Sequence, residues 1–324
     1  MNDGPSTNQS PTTNHKNVGI GVFRHLASPR FCEKNMKFSW FLLVVCALIF
    51  STPALASPSP KSSAATPTPA PDPCAGDGSL LATLNRPTIG YSVCAVAPKT
   101  VVVEEGYQVQ ENAANTTRWS RTISYPQSFV RYGVSKRFEL DLIGPYYNKT
   151  LAADGLGALS SNQGYQDGGL GMKFEYTPRG QFIYALDALY TSPNGTNGFS
   201  AGGATETMNL DVAYSVTPTI GLSTTIAYSS TSGYDAHNMR SRYSVLMPSF
   251  VVTSALRGNA QLYAEYVYTS KLAPDQGGRA FIDYGIQKQL GTRFEIDAEL
   301  GNTLIGDPSK QFHYVGLGFG VRIP

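Results

Sequence analysis

Between Ala280 and Leu300 the chain alternates with a period of two. Ala280, Ile282, Tyr284 and Ile286 hold one parity, and Phe281, Asp283, Gly285 and Gln287 hold the other. A polar break follows at Lys288 to Thr292, with Gly291 as the turn residue. Phe294, Ile296, Ala298 and Leu300 then alternate with Arg293, Glu295, Asp297 and Glu299. Successive side chains of a strand point to opposite faces, so the pattern predicts a hairpin with one apolar and one charged face. A soluble sheet with its charges in water shares that pattern. Near-repeats from about Thr100 to the end of the chain favour a closed membrane barrel instead, apolar outside and polar inside.

Twelve strands are predicted: Thr100 to Gln110, Thr122 to Val134, Arg137 to Ile143, Gly168 to Tyr176, Gln181 to Tyr190, Met208 to Val216, Thr219 to Tyr228, Tyr243 to Ser254, Asn259 to Tyr268, Arg279 to Gln287, Arg293 to Leu300 and Phe312 to Ile323. Their connections alternate. The short ones are Ser135-Lys136, Thr177 to Gly180, Thr217-Pro218, Ala255 to Gly258 and Lys288 to Thr292, with Pro and Gly as turn formers. The long ones, Gly144 to Asp167 the longest, are rich in Asn, Gly, Ser and Asp. Short periplasmic turns and long external loops are the habit of outer-membrane barrels, and an even strand number places both termini in the periplasm. Lipid-facing sets read clearly, as in Leu170, Met172, Phe174 and Tyr176; Phe182, Tyr184, Leu186 and Ala188; and Leu262, Ala264, Tyr266 and Tyr268. Tyrosines near strand ends suit an interfacial girdle. Pro126 and Pro248 fall inside predicted strands and cannot donate to a ladder, so bulges or register shifts are expected there.

Composition agrees. Charged residues make up 15% of the chain, well under the usual share of about 25%. Gly (32), Tyr (19) and Phe (15) are plentiful. The mean hydropathy of -0.17 looks soluble only because alternation averages it out.

The N-terminus reads as an export signal. Met36-Lys37 leads into the apolar run Trp40 to Phe50, and Ala54-Leu55-Ala56 forms a small-x-small cleavage site before Ser57. The run is far shorter than the roughly 20 residues of a transmembrane helix. Val45 before Cys46 argues against a lipoprotein. Residues 1–56 are thus a leader and signal peptide, with Met36 the expected true start. Residues 57–73, rich in Ser, Pro, Ala and Thr, are a disordered linker. Removing residues 1–56 leaves 20 basic and 21 acidic groups, so nothing in the charge points to nucleic acid.

Cys74 and Cys94 are the cysteines that remain. An oxidising compartment makes a disulfide the default, and neither histidines nor a zinc spacing support a metal. Residues 74–99 are expected as a disulfide-closed periplasmic segment, and residues 100–324 as the barrel.

The polar parity gives the lumen: acids Glu139, Asp141, Glu175, Asp187, Asp211, Glu265, Asp283, Glu295, Asp297 and Glu299, and bases Arg131, Lys173, Arg279, Arg293 and Arg322. Either these charges pair across the lumen and shut it, or they line a watery path with a cation preference. Twelve strands leave more room than the roughly eight whose interior side chains fill, which favours a narrow conduit. Catalysis has one opening, His237 near Asp235 among serines in a long loop, and the bland reading is a loop histidine. His313 suggests an interfacial position. Asn115-Thr-Thr, Asn148-Lys-Thr and Asn194-Gly-Thr match glycosylation sequons. No phosphate loop or metal-ligand cluster is present, so no cofactor or metal is expected.

Three stretches resemble the "MetA-pathway of phenol degradation" family of outer-membrane transporters: Cys74 to Cys94 (CAGDGSLLATLNRPTIGYSVC), Val101 to Gln108 (VVVEEGYQ) and Tyr125 to Leu142 (YPQSFVRYGVSKRFELDL). The last carries the most specific part. The resemblance implies outer-membrane transport and little about substrate. The ending Val321-Arg322-Ile323-Pro324 departs from the terminal aromatic of many outer-membrane barrels, with Phe319 further in.

The expected protein is a 12-stranded antiparallel transmembrane β-barrel of a Gram-negative outer membrane, passing a small aromatic or apolar compound passively. A structural or adhesive barrel with a closed lumen is the alternative, and a rim-located lipid hydrolase the third. Expected partners are outer-membrane lipid, the barrel-assembly and periplasmic export machinery, and a small solute. The cleavage motif predicts that protein isolated from outer membranes begins at Ser57 by intact-mass spectrometry; a chain retaining Trp40 to Phe50 refutes it.

Overall fold

The structure is a computed structural model that describes Cys74 and residues 79–113, 117–156, 158–177, 182–305 and 311–324. The chain divides into Met1–Thr66 and Pro67–Pro324, and the second unit holds the barrel. The leader, the cleavage site Ala56-Ser57 and the linker expected over residues 57–73 lie outside the described residues.

Among the described residues one short helix, α1 (Ser79–Thr83), precedes fifteen strands: β1 (Val101–Ala113), β2 (Arg118–Tyr125), β3 (Phe129–Ser135), β4 (Phe138–Ile143), β5 (Tyr147–Asp154), β6 (Leu159–Tyr165), β7 (Gly169–Tyr176), β8 (Phe182–Thr191), β9 (Thr205–Ser215), β10 (Ile220–Tyr234), β11 (Arg240–Leu256), β12 (Ala260–Thr269), β13 (Arg279–Leu290), β14 (Phe294–Ile305) and β15 (Gln311–Ile323). Every ladder between them is antiparallel, and β15 pairs back onto β1 from Val101↔Ile323 to Ala113↔Gln311, which closes the barrel.

Fifteen strands fill twelve wall positions because three are broken. β1 pairs with β3 through Val101–Glu104 and with β2 through Gln108–Ala113, so β2 and β3 are two halves of one strand. In the same way β5 continues β4 and β6 continues β7. The breaks at 126–128, 144–146 and 166–168 lie side by side. Pro126 and Pro145 have no N–H to give a ladder. Single main-chain bonds carry the row across: Gln127 N–H to Gly106 O at 2.8 Å, Gly144 N–H to Ser128 O at 2.9 Å, Gln166 N–H to Tyr146 O at 2.9 Å and Ser192 N–H to Gly168 O at 3.1 Å.

Two expectations need correction. Gly144 to Asp167 is not one long loop, since β5 and β6 occupy most of it. β6 reads Leu-Ser-Ser-Asn-Gln-Gly-Tyr and is exposed except at Gly164, so it has no apolar face and no alternation to read. Pro248 carries no bulge: it stands in register opposite Ile226, and the ladder from β11 to β12 begins just after it, at Ser249↔Val267. Register shifts occur instead at Gly133/Ser135 and Ala280/Phe281.

Apolar side chains form continuous outward rows across the wall. One row runs Phe174, Leu186, Leu210, Ile226, and the next Met172, Ala188, Met208, Tyr228. Exposed Tyr107, Tyr125 and Tyr165, with Tyr147 between the last two, form a girdle with ring centroids 5.4–6.1 Å apart. Ile296 faces outward at 43% exposure, while its neighbours Glu295 and Asp297 are buried inside. An arginine near the bilayer midplane costs about 2 to 4 kcal/mol because it leaves water without a partner. Ile296 stands opposite Lys288 near the turn, whereas Leu300, also outward-facing, lies in mid-strand opposite Tyr284 and Val315; Leu300→Arg is therefore expected to reduce the yield of heat-modifiable, folded barrel in bilayers strongly, and Asp297→Asn to leave it near parental. Equal yields overturn the facing assignment.

Candidate functional site: a plug docked in the lumen

The segment expected over residues 74–99 as disulfide-closed and periplasmic is threaded into the lumen over Ser79 to Pro98. The physical reason lies in its backbone. Beyond α1 it has no ladder of its own, and buried N–H and C=O groups must find partners. The inward face of the wall supplies them.

Carboxylates take the N–H groups. Glu104, fully buried on β1, accepts from Asn85 at 2.8 Å and Arg86 at 2.7 Å. Glu265 on β12 accepts from Ile89 at 2.7 Å and Gly90 at 2.8 Å. Glu175 accepts from Ala95 at 2.8 Å, and Glu139 from Val96 at 2.5 Å. The Thr225 hydroxyl accepts from Tyr91 at 2.9 Å. Cations and an amide take the carbonyls: Arg131 donates to Thr83 O and Cys94 O, Lys173 to Ser92 O, and Gln287 to Arg86 O.

Arg131 is wholly buried and binds Glu139 at 2.7 Å and Glu104 at 3.3 Å. It thereby joins β1, β3, β4 and two points of the plug. Lys173 stands 3.7 Å from Asp187 and 3.9 Å from Glu139. From the plug, Arg86 reaches Asp297 at 3.1 Å, Glu299 at 3.4 Å and Gln127 at 3.0 Å. Burial works against the Arg86 charge, but Asp297 and Glu299 outweigh it and raise its pKa. Leu80, Leu84 and Val96 pack on Val102. The Cys74–Cys94 disulfide, with Cα atoms 5.2 Å apart, lies against Val93, Ile183 and Ala185.

Of the fifteen lumen residues expected, twelve are buried inside the barrel: Arg131, Glu139, Asp141, Lys173, Glu175, Asp187, Asp211, Glu265, Asp283, Glu295, Asp297 and Glu299. Arg279 is half-buried near the loop end, stacked 3.9 Å from the Phe312 ring centroid. Arg322, also half-buried, shares the inward parity of Val102 opposite it. Arg293 does not line the lumen; it is an exposed turn residue between β13 and β14, because the strand begins one residue later than expected. His237 and Asp235 form no base-and-orienter pair here: Asp235 Oδ1 accepts main-chain N–H groups of His237 at 2.9 Å and Met239 at 2.7 Å and shapes its own loop.

Sequence reading missed Glu104, Arg86, Thr225 and Gln287. A signal for the plug was present in β15, where Gly316, Gly318 and Gly320 hold the inward parity against Val315, Leu317 and Phe319. A Cβ at Gly318 would run into Arg86, one at Gly320 into Leu84, and one at Gly133 of β3 into the backbone of Ala97. Inward glycines in a wide barrel mark something packed against them.

The plug divides the remaining space. A cavity of about 440 Å³ lies on the loop side of its tip, lined by Ile89, Tyr91, Tyr146, Leu189, Phe199, Asn209 and Met247 among others. A second, of about 170 Å³, lies on the turn side and includes Thr88, Tyr91, Val93, Tyr214 and Gly221. Tyr91 borders both. The larger cavity also touches Asp167, whose carboxylate holds the connection between β8 and β9 through Gly195 N–H at 2.8 Å and Ala201 N–H at 2.9 Å.

Losing the Glu265 carboxylate orphans two buried N–H groups, each worth about 1 to 3 kcal/mol. Glu265→Leu is expected to speed hydrogen exchange across Asn85 to Val96 by at least about tenfold, with amides of β13–β15 unchanged; Gly133→Ala is expected to do the same from the other end of the plug. Parental exchange in both variants refutes the docking.

No family model and no curated protein sequence matches the chain. Solved structures do. The COG4313 outer membrane channel from Pseudomonas putida F1 aligns over 71% of this chain and 97% of its own, at 12% identity and a TM-score of 0.53. The NanC porin aligns over 69% of this chain and 100% of its own, at 9% identity and a TM-score of 0.45. The KdgM porin in complex with disordered oligogalacturonate aligns over 68% and 98%, at 10% identity and a TM-score of 0.41. At such identities the likeness concerns fold alone, and of these three the COG4313 channel carries it: the chain has the closed barrel fold of an outer-membrane channel.

Proposed function

We propose that the protein is an outer-membrane channel for passive passage of a small aromatic or apolar compound, with Ser79 to Pro98 as its gate. The carrying observation is the pair of cavities separated by the plug tip at Thr88 to Tyr91. A structural barrel needs no vestibule on each side of its plug. By the loop-length habit of such barrels, the loop end and the larger cavity face outward and the turn end faces the periplasm. The lining of the larger cavity, with Ile89, Leu189, Phe199, Ala227 and Met247 beside tyrosines and threonines, suits a compact, largely apolar molecule.

Passage requires the plug to shift, because its tip fills the connection. Its docking through many single hydrogen bonds, without a continuous ladder, suits stepwise release. When Arg86 leaves with the plug, the exposed lumen is acid-rich, which favours cations among small ions. The resemblance over Cys74 to Leu142 supports membership of the phenol-degradation transporter family, and the outward apolar rows support lipid as the barrel's surroundings. The export signal supports handling by export and barrel-assembly machinery.

Planar-bilayer conductance and solute flux into liposomes test the reading. Parent protein is expected to show low conductance. The Arg131→Met/Glu265→Leu double variant is expected to conduct at least about fivefold more, with a reversal potential shifted toward the cation, while keeping parental heat-modifiability. Correctly folded parent and variant that both fail to conduct and to pass solute overturn the channel and leave the closed structural barrel.

A further inference from the structure

The two cavities have one lining residue in common, Tyr91, and the wall between them is thin. On β10 the smaller cavity reaches Ser223 and the larger begins at Thr225; on β11 the corresponding pair is Val251 and Ser249. Each pair is two residues apart on the inward face, about 7 Å along a strand. On β9 one inward residue, Asp211, separates Ala213 from Asn209, and on β8 Ala185 and Asp187 separate Ile183 from Leu189.

The main chain of the plug is fixed at this level. Glu265 holds the N–H groups of Ile89 and Gly90, and the Thr225 hydroxyl accepts from Tyr91 N–H at 2.9 Å. A Cβ on Gly90 would meet Ser249 Oγ and Thr225 Oγ1, so the backbone there lies directly on β10 and β11. From that anchor the Tyr91 side chain reaches toward β3 and β7. Its ring stands edge-on to Phe129, with centroids 6.1 Å apart, and Lys173 Nζ lies 5.8 Å from its centroid. Backbone therefore closes the β10–β11 side of the boundary, and the ring closes the rest. The two parts are held differently. Several hydrogen bonds pin the main chain, whereas the ring has an edge contact and a cation–π contact, each weak beside them. The ring can turn with none of the main-chain bonds broken.

We propose that Tyr91 is the aperture residue of the channel: with the plug main chain docked, a turn of its ring joins the two cavities, and the ring sets the width of what passes. The larger cavity, about 440 Å³, is the free space beside it that receives the ring. The inference rests on the channel reading and divides the gate in two: a ring that opens a narrow path, and a plug whose release opens a wide one.

Planar-bilayer conductance of the full barrel, paired with hydrogen exchange of the plug in detergent, tests it. Tyr91→Ala is expected to conduct at least about threefold more than the parent, because a constriction closed by a side chain opens when that side chain is cut back. Exchange over Asn85 to Ile89 and Val93 to Val96 is expected to stay within about twofold of parental, since the main-chain bonds remain. Tyr91→Phe keeps the ring and is expected to conduct as the parent does. Tyr91→Leu retains apolar bulk against Phe129 and is read as Tyr91→Ala is, which keeps the test decisive if the alanine variant folds poorly. Parental conductance in Tyr91→Ala and Tyr91→Leu, with the Arg131→Met/Glu265→Leu variant conducting, overturns the aperture and leaves the channel. Raised conductance accompanied by faster plug exchange makes Tyr91 an anchor of the plug and overturns the aperture too. A rise in Tyr91→Phe equal to that in Tyr91→Ala assigns the closure to the hydroxyl and overturns the role of the ring. Closed behaviour in every variant overturns the channel reading and this inference with it.

Discussion

The barrel is organised around the need to satisfy an irregular main chain in a space without free access to water. A plug of this kind has no ladder, so each buried N–H and C=O requires a side chain from the wall. Glu104, Glu139, Glu175 and Glu265 meet that need as acceptors, and Arg131, Lys173 and Gln287 as donors. The charges therefore do not act chiefly across the lumen on one another. Cross-wall pairs such as Arg131 with Glu139 hold the acceptors in place for the plug. A buried arginine is tolerable only in so complete a setting, because its desolvation is offset by two carboxylates and two carbonyls.

The same constraint explains where bulk is withheld. Inward glycines on β3 and β15 let the plug backbone and Arg86 approach the wall. Further toward the loop end of β15, Phe312 and Tyr314, with Phe281 of β13, fill the lumen and receive Ile89. The larger cavity lies on the β8–β11 side, beside the tip, where Asn209 and Phe199 lie.

The broken strands tie the wall to that space. Pro126 and Pro145 interrupt neighbouring strands at one level, and the row of single hydrogen bonds runs from β1 to β8. Above it, β2, β5 and β6 continue the wall from β1, but β6 has no ladder to β8. The connection between β8 and β9 borders that edge through Tyr165 and Thr196 and closes over the cavity through Asp167. Plug, cavity and wall edge adjoin one another, so a displacement of one reaches the others through direct contact.

The alternation of Phe294 to Leu300, of Leu170 to Tyr176 and of Leu262 to Tyr268 was enough to specify strands, inward and outward faces and a closed barrel of twelve positions. Period-two contrast between lipid and interior is a local property of each strand. The same contrast vanishes in β6, which has no apolar face, and is broken in β5, where Lys149 shares the parity of Tyr147, Leu151 and Ala153, so both were hidden in an apparent loop. Cys74 and Cys94 implied their own pairing from compartment and number alone. The position of the segment between and beyond them was decided only by tertiary structure. Its partners, from Glu104 to Asp297, are scattered over more than half the chain, and nothing local distinguishes a glutamate that faces water from one that holds a backbone N–H. The inward glycines of β15 were the one trace of the plug in the sequence, and they acquire that meaning only once Arg86 and Leu84 are seen against them.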